Sequence, residues 1–221
     1  MRESEKTWNI WTSAERAVFE NGRGIDIGCG DAPIHPLCRK FDVADGDANE
    51  ITKYVSEQFD YVFSSHCLEH MLDPRKTILE WWSLVKPGGR LILLVPDEDL
   101  YEQGTFPSRF NGDHKWTFTL SKRKSWSPKS INVLDLLQSL PDKAYAHAEL
   151  QDCGYDYSLL RLQKDVRYAR LVRSVRYRIF DKLKLSRSWK DHFSVHFHAV
   201  DQTSDGALAQ IQLVAEKSPL K

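Results

Sequence analysis

The run Gly24-Ile25-Asp26-Ile27-Gly28-Cys29-Gly30-Asp31-Ala32 reads as an apolar strand that breaks into a glycine turn. Gly28 and Gly30 carry no Cβ, so the turn can be tight and a ligand can approach the backbone closely. Backbone N–H groups in such a turn suit a nucleotide-type ligand, with the carboxylate of Asp26 at the strand's end. A dinucleotide loop requires a third glycine in G-x-G-x-x-G. This chain has Pro33 there, so that pattern fails.

The histidines offer other chemistry. His66-Cys67-Leu68-Glu69-His70 matches H-x-x-E-H, an inverted zinc-hydrolase signature that needs both histidines on one helix face. Here it begins straight after Ser64-Ser65 at a strand end. Glu69 and His70 are therefore read as helix-start residues packing beneath a site, and a metal-dependent hydrolase stays a minor alternative. His192, His196 and His198 fall on one face of an extended segment and are read as a strand face without a ligand. No metal is expected. His114, in Asn111-Gly112-Asp113-His114-Lys115-Trp116, adjoins an acid that could orient it, as a general base requires. The competing reading is a solvated loop histidine.

These residues need elements to hold them. Trp8, Ile10, Trp11, Ala14, Val18 and Phe19 share one face of a helix over residues 1–20, in a position to cover a ligand. Strands are expected at 23–27, around Phe41-Asp42-Val43 and Gly46-Asp47-Ala48, and over 59–65. A helix over about 76–85 follows Asp73-Pro74. Lys86-Pro87-Gly88-Gly89 is a turn by its chemistry, and 90–95 is the next strand. Residues 97–127 have no regular period and form loops, which is where parallel sheets bind ligands. A helix from Ser127-Pro128 to about Leu140, a strand at 144–151 and a last strand at 208–215 complete the pattern. Strand–helix alternation points to an α/β fold with a mostly parallel sheet.

The 221 residues suffice for one domain with a substantial core, and 31 basic residues balance 31 acidic ones. That balance argues against nucleic acid as a partner. Eleven Lys and Arg residues between Arg161 and Lys190 accompany an apolar stripe at helical spacing, Leu162, Val166, Ala169, Val172, Val175, Ile179 and Leu183. Residues 158–200 are thus read as a basic helical insertion. It packs by its stripe or meets an anionic acceptor or lipid surface. Four cysteines without C-x-x-C spacing, a polar N-terminus and no long apolar run suggest a cytoplasmic protein without a transmembrane segment.

In order, GIDIGCG, GDA, FDYVFSSHCLEHMLDP and LVKPGGRLILLVPD resemble the class I S-adenosylmethionine-dependent methyltransferases, in motif detail over residues 22–100. The resemblance implies a single Rossmann-like, doubly wound domain over 1–221, mostly parallel with an antiparallel last strand. It implies S-adenosylmethionine as cofactor. Asp26, Gly28, Cys29 and Gly30 would hold its amino-acid end, Asp42 the ribose, and Asp47 with Ala48 the adenine. Ser64, Ser65 and His66 would lie beside the cofactor and the incoming nucleophile. Only four residues separate Asp42 from Asp47, so the usual strand–helix–strand is compressed. Either one strand does two jobs or the ribose has another partner, and Asp47 carries more weight. His114 is the first candidate base and His66 the second. Asp113, Trp116 and Arg109 would line the acceptor side, within 97–127. The acceptor implied is a small molecule or the sugar of a glycan. A non-catalytic module that binds the same cofactor is the alternative.

Overall fold

The computed structural model describes residues 3–160, 182 and 199–220. A six-stranded sheet has the order β2-β1-β3-β4-β8-β7. Its strands are β1 (Gly24–Ile27), β2 (Arg39–Phe41), β3 (Phe59–Ser65), β4 (Val85–Pro96), β7 (Lys143–Gln151) and β8 (Gln210–Lys217). β2, β1, β3 and β4 run parallel, and β8 is antiparallel to both β4 and β7. The expected mostly parallel α/β sheet with an antiparallel last strand is therefore present. β5 (Thr117–Thr119) and β6 (Ser130–Asn132) form a separate parallel pair.

β3 and β4 alternate between two faces, as the period of a strand dictates. Val62, Leu91, Leu93 and Val95 join a large core beneath α3 (Pro74–Ser83) and α4 (Val133–Ser139). Tyr61, Phe63, Ile92 and Leu94 face the other way. That second face has an unusual cover. The link from β1 to β2, residues 28–38, contains no helix, although a parallel crossover commonly uses one. α1 (Glu3–Ile10) and α2 (Ser13–Asn21) fill the space instead. The rings of Trp11 and Phe19 stack at 5.0 Å, and Phe19 meets Tyr61 and Phe63 edge-on at 4.8 and 5.5 Å.

Several local expectations differ from the structure. The apolar spacing of residues 1–20 is divided between two helices. The first ends at Ile10 and Thr12 caps the second, its hydroxyl accepting from Glu15 N while the Glu15 carboxylate accepts from Thr12 N. Gly46 and Asp47 follow a turn at 43–45 and are not in a strand, and Asp47 caps the short helical turn Ala48–Lys53. Lys86–Gly89 loops out within β4 as a bulge. The stretch after Pro128 enters β6 before helix α4, whose cap is Asn132. The 97–127 stretch contains a helical turn, Glu98–Glu102, and β5. The basic helix over 158–190 and the segment 192–198 fall largely outside the described residues. Among the described residues no helix is long and apolar enough to cross a membrane.

Candidate active site

A cavity of about 340 Å³ opens at the C-terminal ends of β1 and β3. Asp26, Gly28, Cys29 and Ala32 wall one side, Phe63, Ser65 and His66 another, and Glu3 and Ser4 of α1 roof it. Ser4 and Ala32 also border a second cavity of about 490 Å³ that runs past Trp8 and His35. α1 is fastened over this cleft by Lys6. Its buried Nζ donates to the Glu3 carboxylate and to Thr203 O, each at 2.6 Å.

The glycine turn works by space more than by donors. Gly28 sits at φ +80°, and a Cβ there would lie 2.6 Å from Cys67 Sγ. Gly28 N donates to Phe41 O at 2.8 Å, and Gly30 N donates to Asp42 Oδ2 at 2.6 Å. The expectation that these two N–H groups stand ready for a ligand is thus corrected: both hold the turn onto β2. Asp26 is buried, and its Oδ2 accepts from Ile34 N at 2.6 Å. Burial raises its pKa to about 7.

His66 follows β3 at φ +51°, a left-handed conformation uncommon away from glycine and frequent at functional sites. Its Nε2 lies 2.9 Å from Gln210 Oε1. The polarity of that contact is set at a distance. The Trp11 indole, which can only donate, bonds Gln212 Oε1 at 2.6 Å. Gln151 Nε2 donates to the same oxygen at 3.0 Å, and Gln210 Nε2 donates to Gln151 Oε1 at 2.7 Å. Gln210 therefore presents its oxygen to His66, whose proton must be on Nε2. The free lone pair is on Nδ1. Burial lowers the His66 pKa to about 4, so the ring is neutral.

Behind His66 lies a buried polar cluster. Glu69 is fully buried, and neither carboxylate oxygen has a hydrogen-bond partner. Its Oε1 is 3.6 Å from His66 Nδ1, 3.8 Å from His114 Nε2 and 4.0 Å from His70 Nε2. Burial raises the Glu69 pKa to about 7. His114 is held by its other nitrogen, with Nδ1 2.6 Å from Glu102 Oε1, and its ring stacks on Tyr101 at 5.4 Å. Two backbone bonds bring it there: Lys115 N and Trp116 N both donate to Glu69 O, at 2.9 and 3.2 Å. Glu102 is delivered by the helical turn that Asp97 caps.

The structure gathers Asp26, Gly28, Cys29, Ser65 and His66 at one cavity and sets Gly30 and Asp42 beside it, joined by their hydrogen bond. Ser64 points elsewhere, its hydroxyl donating to Ile27 O at 2.8 Å. Asp47 Oδ1 accepts from Asn49 N at 2.9 Å, and Ala48 O accepts from the Trp81 indole at 2.9 Å. His114 is a buried residue rather than a solvated one. It stands on the far side of Glu69 and lines neither cavity. Asp113 is exposed, its carbonyl 3.2 Å from His70 Nδ1, and the Trp116 indole donates to Leu72 O at 3.3 Å. Arg109 is exposed on the loop before them. None of these three lines either cavity. Sequence reasoning missed Glu102, Gln210 and the roofing pair Glu3 and Ser4. Glu102 and Gln210 lie far along the chain from their partners, and no spacing rule links them.

A family profile described as a methyltransferase domain matches residues 12–172, and the chain belongs to that family. No curated protein matches it by sequence. Among solved structures it is similar to an S-adenosylmethionine-dependent methyltransferase from Archaeoglobus fulgidus, with 18% identity and a TM-score of 0.52, covering 98% of this chain and 95% of that one. It is also similar to phosphoethanolamine N-methyltransferase 2 of Haemonchus contortus in complex with S-adenosyl-L-methionine, with 14% identity and a TM-score of 0.50. That match covers 96% of this chain, which spans about half the length of the worm enzyme, 53% of it. At these identities the likeness is one of fold.

Proposed function

We propose that this chain is an S-adenosylmethionine-dependent methyltransferase whose acceptor is a small molecule. The observation that carries the reading is the cavity at the C-terminal ends of β1 and β3. There Gly28, at φ +80°, packs without a Cβ against the Cys67 side chain, and the turn it makes lines the cavity together with His66. Strand ends of this kind are where open α/β sheets hold their ligands. The residues fit the cofactor. Asp26 lines the cavity and can pair with a cationic ammonium group, an interaction that would keep it ionised despite burial. Asp42, whose Oδ2 accepts from Gly30 N just after β2, is our candidate to accept from a ribose hydroxyl, ahead of Asp47, which caps the next helical turn. Its neighbour on that turn, Cys29, borders the same space.

Bound there, the cofactor supplies a sulfonium methyl that is electrophilic without further activation. The chain then has to hold a nucleophile in line and exclude water. α1 roofs the cavity with Glu3 and Ser4, and Phe63 lines its apolar part. The neutral His66 borders the cavity and can orient an acceptor hydroxyl or amine, and Glu69 behind it can carry charge that develops there. Arg109, Asp113 and Trp116 line neither cavity, so an acceptor role for them requires the 97–127 loops to meet the acceptor beyond the cavity mouth, and sugars are the first acceptors to screen.

Calorimetric titration with S-adenosylmethionine and S-adenosylhomocysteine, for the wild type and Gly28→Arg, tests the cofactor site. Binding lost in the variant supports it, and a folded wild type that binds neither overturns it. Release of S-adenosylhomocysteine in the presence of an acceptor then separates catalysis from binding alone.

A further inference from the structure

Glu69 sits at the centre of a group of acceptors that lacks a donor. The imidazole protons are assigned by what each ring touches. His70 Nδ1 faces the carbonyl of Asp113 at 3.2 Å, and a carbonyl only accepts, so Nδ1 carries the proton and Nε2 the lone pair. His114 Nδ1 faces the Glu102 carboxylate at 2.6 Å, so Nδ1 carries a proton and, in the neutral ring, Nε2 has the lone pair. Both free Nε2 lone pairs approach Glu69 Oε1, at 4.0 and 3.8 Å, and the lone pair on His66 Nδ1 comes to 3.6 Å of it. Neither oxygen of this fully buried carboxylate receives a hydrogen bond. A buried carboxylate facing imidazole lone pairs calls for a cation.

We propose that Glu69 Oε1, His70 Nε2 and His114 Nε2 bind a divalent transition-metal ion of the zinc class. The three ligand atoms lie within 4.8 Å of one another. A tetrahedral ion with bonds of about 2.0–2.2 Å holds its ligand atoms roughly 3.3–3.6 Å apart, so the pairs must close by about half an ångström to roughly 1.5 Å. Imidazole and carboxylate together select zinc, iron, cobalt or nickel over magnesium or calcium. Glu102 on His114 and the Asp113 carbonyl on His70 are the outer acceptors that hold metal-bound histidines in register. His70 is 24% exposed at its side chain, which gives the ion a route in. Two histidines and one glutamate leave a fourth position open, on a cluster that touches His66 and through it the cavity. This differs from the H-x-x-E-H reading, because His66 and His70 do not share a helix: residues 68–70 form a single turn. The inference does not depend on methyl transfer.

The test is titration of the chelator-treated, full-length protein with Co²⁺, followed by visible absorption, with Zn²⁺ as competitor. One equivalent of Co²⁺ is expected to give the absorption of a tetrahedral site, and Zn²⁺ to abolish it. Glu69→Gln should lose the signal while keeping the fold, because its amide donates to the facing nitrogens. His70→Ala should lose it as well. Glu102→Gln should weaken binding by about 10–100-fold. His147→Ala, on β7 and away from the cluster, should leave binding unchanged. No stoichiometric binding by the folded wild type overturns the proposal. Binding that survives both Glu69→Gln and His70→Ala overturns it equally.

Discussion

The indole N–H of Trp11 is joined through three amides to His66, and with Thr7 and Glu149 it sets which nitrogen of that ring carries the proton, although Trp11 and His66 share no direct bond. The link runs through Gln212, Gln151 and Gln210, each amide oriented by the one before it. It crosses from the end of α1 through β8 and β7 to the residue after β3. The helix that covers the cleft thereby also orients a side chain on the cavity wall.

Replacing Trp11 with Phe removes the donor at one end of this relay and leaves Thr7 and Glu149 as its remaining anchors. Nitrogen-15 NMR of the histidine rings should show His66 shifting from the Nε2–H form towards a mixture. The buried Gln212 oxygen loses a donor, at a cost of about 1–3 kcal/mol measured by denaturant unfolding. A His66 that stays wholly Nε2-protonated would show that Trp11 does not set its tautomer.

Gly28→Ala places a Cβ 2.6 Å from Cys67 Sγ at φ +80°. The left-handed conformation alone costs about 1–2 kcal/mol for a residue with a Cβ. The melting temperature should fall, and S-adenosylhomocysteine binding should fall with it. Unchanged affinity in the folded variant would mean that the turn does not touch the cofactor.

Asp26 makes stability depend on pH in the direction opposite to most carboxylates. Its folded pKa, about 7, stands above the ordinary value of 3.8, so the folded state holds the proton more tightly. Its contribution is fully present below about pH 4 and is lost as pH rises towards 7. Asp26→Asn should remove this slope. Without cofactor, the variant should be the more stable protein at pH 8 by a few kcal/mol. Unfolding curves at several pH values check this, and parallel profiles for the two proteins would refute it.

Asp42→Ala and Asp47→Ala separate two assignments. Asp42 accepts from Gly30 N at 2.6 Å, whereas Asp47 caps the next helical turn through Asn49 N. Loss of a charged hydrogen bond, about 1.5–3 kcal/mol, should weaken cofactor binding by roughly 10–150-fold in Asp42→Ala. Asp47→Ala should cost about 1 kcal/mol of stability as a lost cap. Calorimetry on both variants decides, and the reverse ranking would return the weight to Asp47.

The amino-acid sequence by itself determined β1, β3, the last strand and the glycine turn. Each follows from a local rule: an apolar run, a period, or a residue without a Cβ. The break at Thr12 was also written locally, in Thr12-Ser13-Ala14-Glu15, but a continuous apolar stripe across it concealed the cap. Residues 28–47 resisted reading because their compression moves the cover of one sheet face to α1 and α2, a substitution visible only in packing. The cluster around Glu69 belongs wholly to the tertiary structure. His66, Glu69 and His70 are close in sequence, but Glu102, His114 and Gln210 arrive on other elements. Proton positions and buried charge depend on which groups face one another across those elements. Periodicity along the chain carries no information about that.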